Sequence, residues 1–217
     1  MDARPRGPYS PARLADTTEA PDFAWIKRVG EHQGAGSSMN FRILSRALAS
    51  AAILAAILPA ASAADPATLL ITSKDWSAYT SGSGDSKICY VLSKPTSTEP
   101  KKAKRDAAYF IITDWPSRKP KTKSEPEAVP GYLYKEASAV TAQVGGDKFE
   151  MFAKNEDGAG AAWVRQRADE VRLVESMKRG QQLVVIGTSQ RGTVTHDTYS
   201  LAGLSDALDA IHKSCGM

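Results

Sequence analysis

Three times between Asp75 and Leu201 the chain repeats one pattern: two β-rich runs on either side of a short, glycine-bearing turn. The first is DWSAYTSGSGDSKICYVLS, which turns over Ser81-Gly82-Ser83-Gly84-Asp85. The second is SAVTAQVGGDKFEMFAK, where Val140, Ala142 and Val144 alternate, Gly145-Gly146-Asp147 turns, and Phe149 and Met151 resume the alternation. In the third, QQLVVIGTS and GTVTHDTYSL flank Gln190-Arg191-Gly192. Alternation with period two marks half-buried strands, and glycine breaks between such runs mark hairpins. AAYFIIT (Ala107–Thr113) is continuously apolar and short, as a strand buried on both faces would be. Many short strands joined by glycine turns predict an all-β sandwich built from antiparallel hairpins.

Two short helical patterns in the C-terminal half interrupt the strands. Asp169 to Arg179 carries Val171, Val174 and Met177, with Asp169 read as N-cap, Lys178-Arg179 in the last turn and Gly180 after it. Ser205 to Cys215 places Leu208, Ile211 and Cys215 on the same face as Leu204. That apolar stripe turns Cys215 inward. His212 lies near the end of this helix, where the macrodipole favours a cation.

Upstream of the strands, Met39 opens a second kind of pattern. Arg42 and Arg46 precede an uncharged apolar run from Ala47 to Leu58, then Pro59 and the small residues Ala61-Ser62-Ala63. Charged start, apolar middle and small-residue exit are those of a secretory signal. The run is shorter than the roughly 20 residues of a membrane span. The expected organisation is therefore 1–38 as a disordered extension upstream of the true start, 39–63 as signal peptide, and 64–217 as one domain. About 154 residues are enough to bury a self-sufficient core. Within them 21 basic and 19 acidic residues leave a net charge of about +2, which argues against a nucleic-acid binder. The expected location is the periplasm or cell envelope, or the outside after secretion.

Export decides how the cysteines are read. Two thiols in an oxidising compartment are most simply one disulfide, here Cys89–Cys215. Closing so long a loop is worth roughly 4–5 kcal/mol in the chain-entropy model. A zinc site combining both with His196 and His212 lacks the CxxC and HxxxH spacings, so no metal is expected.

GTSQRGTVTHD offers Ser189, His196 and Asp197 as candidates for a serine hydrolase. A nucleophile elbow needs Gly-x-Ser-x-Gly on a strand-to-helix turn, whereas Arg191 replaces the second glycine here and a strand follows. Nor is the run a P-loop, because Gly192 is followed by Thr193. A turn between strands is the stronger reading, and no catalytic residue or cofactor is expected. Two charged, proline-bearing loops, KPTSTEPKKAKRD and PSRKPKTKSEPEAVP, carry basic clusters. Lys101, Lys102, Lys104, Arg105, Arg118, Lys119, Lys121 and Lys123 are the candidate surface for an anionic membrane or polysaccharide.

Several of these stretches, taken in order, resemble the invasion-associated locus B family, small exported proteins of Gram-negative bacteria. The resemblance rests on Asp75-Trp76, Cys89, GGDKFEMF (Gly145–Phe152), Ala162-Trp163 and MKRG (Met177–Gly180). It continues through GTSQRGT (Gly187–Thr193), DTYSL (Asp197–Leu201), Gly203 and the terminal ALDAIHKSC. It implies an immunoglobulin-like sandwich and a protein that acts by binding an envelope or host component, with a link to host-cell invasion in pathogens. It supplies no catalytic residues. One departure stands out: Pro126 and Pro130 fall where the family has an apolar strand, so that strand is expected to be short or to lie at an edge.

Overall fold

A computed structural model describes residues 66–101, 104–156 and 158–217. The proposed extension and signal peptide, and Lys102 with them, lie outside the described residues. Eleven strands and two helices follow in order: β1 (Thr68–Ser73), β2 (Trp76–Ser81), β3 (Ile88–Ser93), β4 (Ser97–Glu99), β5 (Tyr109–Trp115), β6 (Thr122–Val129), β7 (Val140–Val144), β8 (Asp147–Glu156), β9 (Ala159–Val164), α1 (Arg167–Arg179), β10 (Gln182–Thr188), β11 (Val194–Ser200) and α2 (Leu204–Cys215). The three hairpins read from the glycine turns are β2–β3, β7–β8 and β10–β11, all antiparallel.

The strands form one antiparallel ladder in the order β1-β2-β3-β5-β6-β9-β8-β7-β10-β11-β4. Eleven twisted strands do not stay flat. β6 and β9 share only the pairs Glu127↔Trp163 and Ala128↔Ala162, and β8 pairs with β7 through its first half and with β9 through its second. Two layers result, and the contacts across them prove the closure. Phe110 of β5 meets Tyr199 of β11 edge-on with ring centroids 5.8 Å apart, although five strands separate them along the ladder. The Trp76 indole N–H of β2 donates to the Ser200 carbonyl of β11 at 2.9 Å. The molecule is a β-sandwich.

Its interior explains the sequence pattern. Val91, Phe110, Val140, Ala142, Val144, Phe149, Met151, Leu183 and Val185 face one shared core. The opposite faces of β3, β5 and β9 carry a second cluster that includes Tyr90, Ile111 and Trp163. Burial on both faces is why β3 and β5 read as near-continuous apolar runs. Both helices close the first core. α2 contributes Leu204, Ala207, Leu208 and Ile211, all 1% exposed or less, and packs on β1, β2, β3 and β5. Burying Leu208 and Ile211 is worth about 1.5–3 kcal/mol each. Cys215 ends that stripe and is bonded to Cys89 of β3, with Cα atoms 6.0 Å apart.

Three expectations are corrected. α1 begins at Arg167 with Gln166 as N-cap, and Asp169 sits in the first turn. Val171, read with Val174 and Met177 as an apolar residue of this helix, is 46% exposed; the buried positions are Glu170, Leu173, Val174, Ser176 and Met177. The segment with Pro126 is neither short nor an edge. It is β6, eight residues long and flanked by β5 and β9. Pro126 is tolerated there because the short ladder to β9 begins only at Glu127.

Candidate functional site

The turn that offered a nucleophile is built as a turn. Ser189 accepts the Gly192 N–H on its carbonyl at 2.8 Å and the Thr193 N–H on its hydroxyl at 3.2 Å. The Gln190 N–H donates to the Leu133 carbonyl and the Lys135 N–H to that of Thr188, which clasps the turn against the segment between β6 and β7. Gly187 makes this possible, because a Cβ there would stand 2.7 Å from the Tyr134 ring. His196 is exposed on β11, and Asp197 points to the other face. Ser189, His196 and Asp197 therefore do not assemble.

Asp197 is instead the anchor of a buried clamp. The Arg105 guanidinium donates to both of its carboxylate oxygens, to the Pro130 carbonyl at 2.8 Å and to the Thr98 hydroxyl at 3.1 Å. It also lies over the Tyr132 ring, whose hydroxyl is 2.7 Å from that of Thr195. Burial opposes the Arg105 charge, but the Asp197 carboxylate more than offsets it and raises the pKa. Arg105, read as a surface cation, is a structural one with a side chain 8% exposed.

The remaining basic residues do not form one patch. Lys101 and Lys104 are exposed before β5, whereas Lys119, Lys121 and Lys123 are exposed beyond its far end. Seven residues of strand hold the two groups about 20 Å apart. Arg118 is half-buried, lying 3.9 Å above the Trp115 ring and donating to Glu125 at 2.9 Å.

A cluster that no local motif announces sits beside the disulfide. Asp114 of β5 pairs with Cys89 in register and is fully buried. The ladder slips here, passing from Thr113↔Glu125 to Trp115↔Thr122. The Ser124 backbone at this slip takes φ 55° and donates its N–H to Asp114 Oδ1 at 2.8 Å. The Ser124 hydroxyl lies 2.9 Å from His212 Nε2, and Asp114 Oδ1 lies 3.7 Å from the same nitrogen. A catalytic triad needs the acid on one imidazole nitrogen and the serine on the other. Here both converge on Nε2, so the cluster cannot relay a proton from Ser124 through the ring to Asp114. Burial pushes the Asp114 carboxyl up to about 6, against the opposing pull of the Ser124 N–H, Lys123 and Arg167. Burial likewise pushes His212 down to about 4, with Lys123 and Lys178 adding to it and Asp209 opposing. The helix dipole does not make His212 a cation; burial outweighs it. Sequence spacing hid this cluster because Ser124 and His212 are 88 residues apart.

An open cleft of about 1090 Å³ lies between β8, residues 134–139 and the first turn of α1. Arg165 stacks 4.8 Å above Phe152 on its wall, and Arg172 lies 5.7 Å from the Phe149 ring centroid while pairing with Asp169. Exposed Lys148 stands at its rim. Among the described residues no group of His, Cys, Asp and Glu could hold a metal, and no helix is long and apolar enough to cross a membrane. The two thiols of the zinc reading are joined to each other.

No curated protein matches the chain. Among solved structures it is similar to the crystal structure of invasion associated protein B from Bartonella henselae, at 14% identity and a TM-score of 0.48. That comparison covers 69% of this chain and 100% of the other. The family model described as Invasion associated locus B (IalB) protein matches residues 76–212, well over half of the sequence, and the chain belongs to that family.

Proposed function

We propose that this protein is exported, oxidised once outside the cytoplasm, and acts in the periplasm or cell envelope by binding a partner rather than by catalysis. The observation that carries the reading is the Cys89–Cys215 bond, which ties the last turn of α2 to a core strand. Such staples persist in oxidising compartments and are rare in the cytosol. The leader pattern from Met39 to Ala63 supports the same location. The non-catalytic reading is supported by the commitments of the candidate side chains. Asp197 is held by Arg105, Ser189 by its own turn, Asp114 by the Ser124 N–H, and the Ser124 hydroxyl by His212 Nε2. Two surfaces are available for a partner: the cleft rimmed by Lys148 and Arg165, and the exposed Lys119, Lys121 and Lys123 leading into β6. The partner is an envelope or host component, and the family's description as invasion associated supports a part in host-cell invasion.

The test places a photo-crosslinking residue at Lys148 in one strain and at Lys121 in another, each illuminated in intact cells. A discrete adduct from one position and not from the other is expected, and it names the binding face. A fluorophosphonate serine probe is applied to the same cells. Labelling that disappears in Ser124→Ala or Ser189→Ala would overturn the binding reading in favour of a hydrolase.

A further inference from the structure

We propose that the cleft along β8 takes an extended peptide segment of the binding partner whose charges run acid, base, acid at every second residue. The assignment rests on the binding role proposed above and gives that role a ligand chemistry.

β8 changes partners at Met151. Up to that residue it pairs with β7, and from it onward with β9. Val164 is the last residue of β9, and the chain then turns away through Arg165 and Gln166 into α1. The edge of β8 from Lys148 to Glu150 is therefore left beside the cleft, on the line that β9 would have followed. Val144 and Asp147 flank a two-residue turn and form its hydrogen-bonded pair, so Phe149 and Met151 also bond to β7. Lys148 and Glu150 direct their N–H and C=O groups the other way. Among the described residues no strand pairs with that edge and no loop backbone bonds to it. A peptide that adds as a further strand reads such an edge through its own N–H and C=O groups. A polysaccharide has no strand-spaced backbone to match it, so the edge favours a peptide.

The side chains give that peptide a pattern. Lys148, Glu150 and Phe152 alternate along the strand and share its outer face, away from buried Phe149 and Met151. The Arg165 guanidinium lies 4.8 Å from the Phe152 ring centroid, so the face carries a cation, a carboxylate and a cation at two-residue intervals. Opposite charges facing each other across a strand pair stabilise it, and like charges destabilise it. The matching strand has an acid opposite Lys148 and a base opposite Glu150. A second acid reaches Arg165 as the peptide passes the end of β9. Stacking on a ring leaves the guanidinium N–H edge open to a carboxylate, which it takes with two bonds. Lys148, Glu150 and Arg165 are exposed, and none is in an ion pair among the described residues. Their neighbours are engaged, Arg172 by Asp169 and Lys154 by Glu156. Lys135 and Glu136 add one charge of each sign to the lining. All eight residues from Lys148 to Asn155 line the cleft, which runs about 23 Å along β8 and has room for roughly seven extended residues.

The experiment titrates the mature, oxidised protein with a fluorescein-labelled heptapeptide, Thr-Glu-Thr-Lys-Thr-Glu-Thr, and follows anisotropy at low salt. Binding should weaken about tenfold or more for the charge-reversed peptide, and as much when the backbone nitrogens of the charged residues are methylated. Arg165→Ala and Lys148→Glu should each weaken it by a similar factor, whereas Lys213→Ala, exposed on α2, leaves it unchanged. No binding of this peptide, equal binding of its reversed or methylated form, or indifference to Arg165→Ala overturns the peptide assignment. So does alginate, a uronic-acid polysaccharide, if it binds through Arg165 where the peptide does not. Both substitutions fall on exposed side chains, and the two altered peptides test the wild type without any variant. Crosslinking at Lys148 in intact cells reads the binding role separately. An adduct there without peptide binding sinks the peptide assignment alone, and adducts at neither Lys148 nor Lys121 remove the role itself.

Discussion

At the scale of single residues, Arg105 and Asp197 form a buried, doubly hydrogen-bonded ion pair. Both side chains are under 10% exposed, and Arg105 joins the β4–β5 loop to β11 and to the end of β6 in one contact set. Removing one partner of a buried pair strands the other's charge, at a cost of about 3–5 kcal/mol. Arg105→Ala should therefore lower the unfolding free energy read from urea melts substantially, while Lys104→Ala, one residue away and exposed, should change it by less than about 0.5 kcal/mol. Equal effects of the two substitutions would show that the clamp contributes nothing. In the sequence these residues are indistinguishable, since both belong to the run KKAKRD. What separates them is Asp197, 92 positions away. The Asp114–Ser124–His212 cluster was hidden for the same reason. A side chain's role is set by its partner in space, and local sequence does not name partners.

At the scale of elements, what could be read was what pairs locally. β2–β3, β7–β8 and β10–β11 are neighbours in sequence, and each advertises itself by alternation around a glycine turn. β6 and β9 could not be recognised so directly. β6 contains Glu125, Pro126 and Glu127, residues poor in strand propensity, and β9 (Ala159–Val164) is mostly alanine and glycine. Six pairs of β6 to β5 and six of β9 to β8, not their own composition, make them strands. β1, at the sheet edge, escaped notice because its TLLITS has only one residue, Leu70, packed toward the core among exposed neighbours. α2 was placed correctly to within one residue because its stripe is regular. Its attachment can be measured. Cys215→Ser should cost about 2–5 kcal/mol and lower the melting temperature by several degrees, with reduction of the wild type giving a similar loss. An unchanged melting temperature in both would mean that α2 is held by its apolar face alone.

At the scale of the molecule, two layers of one folded ladder close around a core that the C-terminal helix seals and the disulfide locks. The staple spans 126 residues, so it fastens the end of the chain to the hairpin at the start of the described fold. That arrangement leaves charged loops at both ends of β5 and a cleft beside α1, the surfaces on which the proposed binding draws. Such a bond forms and persists in an oxidising space, which supports the export proposed above. The family to which the chain belongs is consistent with this reading without naming the partner. The most direct test is non-reducing peptide mapping, with intact mass, of the protein recovered from the cell envelope. The account expects a chain beginning at Ala64 or Asp65 and a single linked peptide pair joining Cys89 to Cys215. Recovery of the protein with both thiols free and residues 39–63 still attached would contradict it.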